Sequence, residues 1–314
     1  KFAKLKKVSI DGIRDNAELD IKLYKLPVSK IRMPFANKIE QFDVKTLKSL
    51  HISRISKLHS AIGVIQTLRK FQLRELSIPY IDRLNEVISS MPLEILMIRG
   101  NGSENIHLHH NSIRRLSVNV DITVDMPNLV DLRLDACVLN NTELPSIKRL
   151  DITRCNLPEA VIGAQLTSLN MTYTLGQVQL RLLPVSLQKL VMRGVEADYT
   201  GFPLLPHLTK LHIIEKYYEY EDYEDIERTN YDYMYRRIIP DEVWRTIAQS
   251  PITNFKFAGA SLHDGNIHYF AETPINYLNI KFTHITAAGM MTIKKLPLRQ
   301  LLIPKISAHH LIGV

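Results

Sequence analysis

The stretch TPINYLNIKFTHITAAGMMTIKKLPLRQLLI, Thr273–Ile303, contains one hydrophobic pattern twice. The first copy, INYLNI, begins at Ile275, and the second, LRQLLI, begins 23 residues later at Leu298. A proline precedes each copy (Pro274 and Pro297), and a strand can begin at a proline because no ladder hydrogen bond is needed there. The last two apolar positions of each copy alternate with one other residue. This spacing predicts a short strand that is buried on one face.

The pattern L-x-x-L-x-L, with other large apolar residues allowed, occurs fourteen times along the chain. The middle residues of the copies are Val8, Ile31, Leu50, Leu76, Leu96, Leu116, Leu132, Leu150, Leu169, Leu190, Leu211, Phe255, Leu278 and Leu301. Consecutive copies are 16 to 26 residues apart, except for one gap of 44 residues. Because 44 is twice 22, the gap suggests that one repeat has lost its signature or has been replaced.

One such strand cannot bury its apolar face alone, whereas stacked parallel copies form a continuous core. The sequence therefore predicts an α/β solenoid of about fourteen irregular repeats over residues 1–314. Its curved parallel sheet would line the concave face, and short helices, 3-10 turns and loops would form the convex face. Neither end shows the polar cap that terminal repeats need, so we expect the natural chain to extend further.

Three copies also carry a polar or small residue where the leucine-rich repeat family has its ladder. Asn101 holds this position in LEILMIRGN, Cys137 in LVDLRLDACVL and Cys155 in IKRLDITRCNL. The chain thus resembles the leucine-rich repeat family over nearly its whole length. The resemblance implies that these side chains turn inward and bond the backbone of the turn. Two buried thiols are the favoured interpretation, and a disulfide between consecutive repeats is the alternative.

The C-terminal repeats resemble the GALA type of bacterial repeat, in which a glycine-containing turn and a short helix follow each strand. This resemblance implies a helix over Gly289–Lys295, with Thr286 as its N-cap. The earlier, shorter repeats often carry Leu-Pro before the strand and are similar to the LP-containing repeats of bacterial effectors.

Residues 215–251 interrupt the pattern. Within them, Glu215–Tyr235 carries eight acidic and two basic residues, a net charge of −6, and Pro240, Asp241 and Glu242 predict the start of a short helix. The acidic run is compatible with a solvated loop, with a strip that docks on a basic surface, or with a modification site. The candidate tyrosines for phosphorylation, sulfation or docking are Tyr217, Tyr218, Tyr220 and Tyr223.

Three positions of each copy should face the concave side, which gives 42 positions in all. Twelve of them are Lys or Arg, against about five expected from composition, whereas acidic residues are not enriched. We therefore predict an electropositive concave face that binds an acidic protein partner. The alternative is that these cations only keep a strand face soluble. The predicted binding residues are Arg32, Arg99, Arg115, Arg133, Arg149, Lys189, Arg193 and Lys210.

Other kinds of activity find little support in the sequence. There is no phosphate loop, nucleophile elbow, zinc-protease motif or EF-hand loop, so we expect neither an enzyme nor a cofactor. Few aromatic residues fall on the concave positions, which disfavours single-stranded nucleic acid. His107, His109 and His110 are compatible with a metal site, but a polar convex loop is the favoured interpretation, so no metal is predicted.

The totals constrain the location of the protein. No run of about 18 uncharged apolar residues occurs, and the N-terminal residues lack the apolar region of a signal peptide, so we expect neither a membrane span nor secretion by that route. Two cysteines in 314 residues fit a reducing compartment. These features predict an intracellular protein of cytoplasm or nucleus, or one acting in a host cell if it is a bacterial effector.

The leading hypothesis is a non-catalytic recognition module or scaffold with a basic concave face. The resemblance to GALA and LP-containing repeats implies one alternative, the substrate-receptor part of a ubiquitin-ligase adaptor or a secreted bacterial effector. The other alternative is an extracellular receptor or matrix-type leucine-rich protein with a sulfated tyrosine run.

Overall fold

The computed structural model describes residues 6–9, 28–35, 45–55, 61–100, 105–140, 144–157, 165–215 and 239–303. The chain divides into two compact units, Lys1–Ile147 and Lys148–Val314. Each unit is built on a parallel sheet with a few short helices.

The described residues of the first unit form nine strands. They are β1 (Lys7–Ser9), β2 (Lys30–Phe35), β3 (Ser49–Arg54), β4 (Glu75–Pro79), β5 (Ile95–Arg99), β6 (Ile106–His109), β7 (Arg115–Val118), β8 (Ile122–Asp125) and β9 (Asp131–Asp135). Seven of them form a parallel sheet in the order β1-β2-β3-β4-β5-β7-β9. The seven predicted middle residues of this unit, from Val8 to Leu132, stand opposite one another on neighbouring strands.

The described residues of the second unit also form nine strands. They are β10 (Arg149–Thr153), β11 (Ser168–Thr172), β12 (Val178–Gln179), β13 (Lys189–Arg193), β14 (Ala197–Asp198), β15 (Lys210–Ile214), β16 (Asn254–His263), β17 (Tyr277–His284) and β18 (Gln300–Leu302). Seven of these strands again form a parallel sheet, in the order β10-β11-β13-β15-β16-β17-β18. The predicted middle residues from Leu150 to Leu301 are in register here too.

All fourteen predicted copies therefore form strands, which confirms an α/β protein dominated by parallel strands and consistent with a solenoid-like fold. The register follows from burial. Leu50, Leu76 and Leu96 are fully buried, and shifting a strand by one residue would turn its apolar positions to the other face.

Within the described residues, five short helices lie in the connections. They are α1 (Ala61–Leu68), α2 (Leu84–Ile88), α3 (Asp241–Ala248), α4 (Asp264–Ile267) and α5 (Ala287–Ile293), and 3-10 helices span Leu180–Leu182 and His268–Phe270. The Thr286 side chain caps α5 as predicted by accepting a hydrogen bond from the Ala288 N–H, but the helix begins two residues before the expected Gly289. No helix in the described part of the chain is long and apolar enough to cross a membrane.

The predicted helix after the acidic run is α3, which begins after Pro240 and has Asp241 and Glu242 in its first turn. These carboxylates face the positive end of the helix dipole. The opposite side buries Trp244 completely, with its ring centroid 5.3 Å from that of Phe257 and 5.9 Å from that of Phe270. An aromatic cluster thus holds α3 against the second unit's sheet.

The idea that the 44-residue gap hides a lost repeat is wrong. Strand β15 pairs directly with β16, from Lys210 opposite Asn254 to Ile214 opposite Ala258. No strand position is vacant between these neighbours. The intervening residues are an enlarged connection between two adjacent strands.

The interpretation of the histidine-rich stretch as a loop is also wrong. Residues Ile106–His109 form β6, which pairs in parallel with β8 in a separate two-stranded sheet. The Nδ1 atom of His109 lies 2.6 Å from an Asp125 carboxylate oxygen, on the exposed surface. His110 is buried instead. Its Nε2 atom lies 3.1 Å from the carbonyl oxygens of Ile88 and Met91, so its ring contacts the C-terminal end of α2 and the turn that follows.

Candidate functional site

The residues that alternate with the buried positions lie on the opposite side of each sheet, which we call the open face. Neighbouring strands are about 4.8 Å apart, so side chains in the same row across the strands contact one another. All eight predicted binding residues lie on this face. Five are exposed, and Arg99, Lys189 and Lys210 are half-buried.

In the first unit, much of this positive charge is compensated by carboxylates. The Nζ atom of Lys30 lies 2.9 Å from a Glu75 carboxylate oxygen, and the Ser49 hydroxyl donates to the same oxygen at 2.7 Å. Burial opposes ionisation of Glu75, but the hydrogen bonds from Lys30 and Ser49 outweigh it and lower the pKa of this carboxyl group. Glu75 is therefore a fixed negative charge within the predicted basic face.

Asp131 has a similar role further along the same sheet. Its side chain is buried, and its two oxygens lie 3.8 Å from the Nε atoms of Arg115 and Arg133, one each. Two of the predicted binding arginines thus share one carboxylate. Their charges are partly neutralised before any partner arrives.

Arg99 is held across the open face rather than pointing away from it. Its Nη2 atom donates to the Ile52 carbonyl oxygen at 2.9 Å and to the Ser77 hydroxyl at 3.3 Å, and it lies 3.2 Å from His51 Nε2. Burial of the His51 ring, followed by the charges of Arg99 and Arg32, lowers the pKa of His51.

The second unit is different. Four cations lie on three adjacent strands, with no acidic residue at the twelve open positions of β11, β13, β15 and β16. Within the residues that the structure describes, none of the four takes part in an ion pair. We call this set the basic cluster, and its members are Lys189, Arg193, Lys210 and Lys256.

His212 lies within the basic cluster, between Val191 and Lys256 in its row. Its Nε2 atom is 2.8 Å from Asn254 Oδ1, so Nε2 carries the proton and donates it. Burial is the largest influence on the ring and, with the charges of the surrounding cations, it lowers the pKa of His212 to about 4. The ring is therefore neutral at pH 7.

Burial and the neighbouring Lys189 charge also lower the pKa of Lys210. Among the described residues, the basic cluster is thus a region where like charges meet and no carboxylate forms an ion pair with them. An anion placed here would reduce that repulsion. Lys256 is one of the twelve concave Lys and Arg residues found in the sequence, but it is not among the eight predicted binding residues. His212 was not predicted, although it lies between two buried residues of its strand.

The acidic run begins differently from a solvated loop. The Glu215 carboxylate is mostly buried, accepts a hydrogen bond from the Ala260 N–H at 2.8 Å and contacts the Ser261 hydroxyl. Burial raises the pKa of Glu215. The start of the connection is therefore tied to β16. The candidate tyrosines Tyr217, Tyr218, Tyr220 and Tyr223 lie outside the described residues.

Both cysteines have buried, free thiols, which confirms the favoured interpretation. The Sγ atom of Cys155 lies 3.0 Å from the Thr153 carbonyl oxygen, and that of Cys137 lies 3.7 Å from the Val118 carbonyl oxygen.

Comparison of the chain with protein-family models, with curated proteins and with solved structures found no match. Among the described residues, no group of three or more His, Cys, Asp or Glu side chains could hold a metal ion. The chemical character of the open face therefore has to be inferred from its own charges and contacts.

Proposed function

We propose that the chain is a leucine-rich repeat protein that recognises an acidic protein partner, without catalysis, through the basic cluster of its second unit. The observation that carries the proposal is the absence of any carboxylate at the open positions around the four cations of β13, β15 and β16. The fourteen in-register strands and the two buried cysteines support the assignment to this class of repeat.

The basic cluster suits a partner surface better than a small ligand. Its cations extend over three rows and three strands, so they match several carboxylates spread along an extended or helical acidic segment. Lys210 and Lys256 are half-buried, and their charges are consequently screened less by solvent than those of freely exposed lysines.

The first unit is less suited to bind an acidic partner. Lys30 is paired with Glu75, and Arg115 and Arg133 share Asp131, so a partner carboxylate would have to compete with internal ones. We therefore assign acidic-partner binding to the second unit and treat these three cations as mainly structural.

Charge reversal tests the proposal. The double variant Lys189→Glu/Lys210→Glu should weaken binding of an oligoglutamate peptide by at least about tenfold at roughly 0.1 M salt, because two attractive charges become repulsive. The matched control is Lys294→Glu/Lys295→Glu, which makes the same change in charge at exposed positions where α5 ends.

Fluorescence anisotropy of the labelled peptide gives the affinities, and circular dichroism shows that each variant is folded. Binding by the wild type should also fall steeply with added salt. Equal affinities of the two double variants, or wild-type affinity that salt leaves unchanged, would refute the assignment.

A further inference from the structure

Arg99 and Arg32 approach the same histidine from opposite sides. Arg99 reaches across Ser77 to His51, and Arg32 is the direct neighbour of His51 in the register of β2 and β3. One arginine therefore contacts the imidazole ring, and the other lies beside it on the neighbouring strand of the open face.

The contact with Arg99 determines which nitrogen of His51 carries the proton. A guanidinium group only donates hydrogen bonds, so the Nε2 atom that lies 3.2 Å from Arg99 Nη2 must be the acceptor. The neutral ring then carries its proton on Nδ1. His51 consequently adds a neutral N–H donor to the two cations.

Arg32 is the exposed member of the pair. Its side chain is exposed, and it forms no ion pair within the described residues. Burial and then the charge of Arg32 lower the pKa of Arg99, so the two guanidinium charges repel each other. In the described part of the first unit, the fold thus keeps two like charges close together with no carboxylate at the open positions between them.

Among the described open positions of β2 to β5, Glu75 is the one carboxylate, and it is already engaged by Lys30 and Ser49. The local set of Lys30, Arg32, Arg99 and Glu75 contains three cations and one anion, which leaves a net charge of +2. The surplus belongs to the two arginines.

We propose that Arg32 and Arg99, with His51 between them, bind the phosphoryl group of a phosphorylated peptide. A phosphate monoester carries a charge of about −1.5 to −2 at pH 7, which matches the surplus, and its three oxygens can accept from different donors at once. A single carboxylate carries a charge of only −1 and would therefore offset only half of this surplus. The site is part of an open strand face, so further contacts along that face suit a peptide rather than a small enclosed ligand.

This site is separate from the basic cluster, and its test uses the full chain. A short peptide of glycine and alanine with a central phosphoserine is titrated by calorimetry at about 0.15 M salt, beside the same peptide with glutamate at the centre and beside inorganic phosphate. We expect the phosphopeptide to bind at least about tenfold more tightly than the glutamate peptide and more tightly than inorganic phosphate.

Arg32→Gln should reduce the affinity for the phosphopeptide about tenfold, since it removes one charge-assisted contact. Arg69→Gln is the matched control. Arg69 is also an exposed arginine of the first unit, but it directly follows helix α1 and pairs with Glu86. Lys189→Glu/Lys210→Glu should leave phosphopeptide binding unchanged, which separates this site from the proposed acidic-partner site.

Arg99→Lys keeps the charge but cannot keep the contacts of Nη2, so it should also weaken phosphopeptide binding, with the thermal midpoint Tm reporting whether the fold survives. Equal binding of the phosphoserine and glutamate peptides would overturn the choice of phosphoryl group. Inorganic phosphate binding as tightly as the phosphopeptide would overturn the choice of a peptide. Wild-type binding by Arg32→Gln would overturn the site.

Discussion

The basic cluster should make the protein less stable as pH falls, and His212 should be a main reason. Burial and the nearby cations lower the pKa of His212 to about 4, whereas an unfolded chain has an ordinary histidine pKa of 6.5. Between these two pH values His212 is protonated in the unfolded state but largely neutral in the folded state. The contribution of His212 to the free energy of unfolding is therefore constant above about pH 6.5 and decreases as the pH falls from about 6.5 to about 4. Below about pH 4 it remains at its lower value.

The magnitude follows from the two pKa values. The difference between 6.5 and about 4 corresponds to about 3 kcal/mol at about 1.36 kcal/mol per pH unit. Solvent reaches part of the ring and screens the surrounding charges, so we expect about half of this, roughly 1–2 kcal/mol.

The perturbation is His212→Gln, which keeps a side-chain N–H for Asn254 but does not titrate. Urea unfolding at pH 4, 5, 6 and 7 gives the free energy of unfolding of wild type and variant, and other titrating groups cancel in the difference. The wild type should lose about 1–2 kcal/mol more than the variant between pH 7 and pH 4. The control His207→Gln removes an exposed histidine of the same unit and should follow the wild type. Parallel pH profiles of wild type and His212→Gln would refute the reasoning.

Three further predictions concern the second unit. Trp244→Ala should lower the free energy of unfolding by about 3–5 kcal/mol in urea titrations, because the side chain is fully buried; a loss as small as that of Trp244→Phe would contradict the packing. Gly259→Ala should lower Tm, since φ is +157° and the added methyl group would collide with the Glu215 carboxylate; an unchanged Tm would show that Glu215 is not held there. Asp264→Ala removes the acceptor 2.8 Å from the Thr286 N–H and should cost about 1–2 kcal/mol in urea titrations, whereas Asp264→Asn should cost less.

Most of the strand architecture was predictable because it depends on a local pattern. Each copy of L-x-x-L-x-L determines which side of its own strand is buried. When such strands pair within each sheet, only one register aligns all the buried positions. The helix after Pro240 was predictable for a similar reason, since its start signals and its apolar face lie within a few residues.

The candidate sites were predictable only in part. The sequence identified the rows in which Arg99, Lys189 and Lys210 stand, but the partners of these residues come from other strands. Glu75 reaches Lys30 across 45 positions in sequence, and Arg99 reaches His51 across 48. A spacing of 44 residues was equally compatible with a lost strand and with an enlarged connection, and only the pairing of β15 with β16 distinguishes them.

The sequence by itself determined the repeated strand, the residues that it buries and the surplus of positive charge on the other side, because these depend on alternation and composition within each copy. Only the tertiary structure decided where that charge is effective. Charges interact through space, so the register of neighbouring strands places carboxylates beside Lys30, Arg115 and Arg133, whereas the described strands β11, β13, β15 and β16 place none beside the basic cluster.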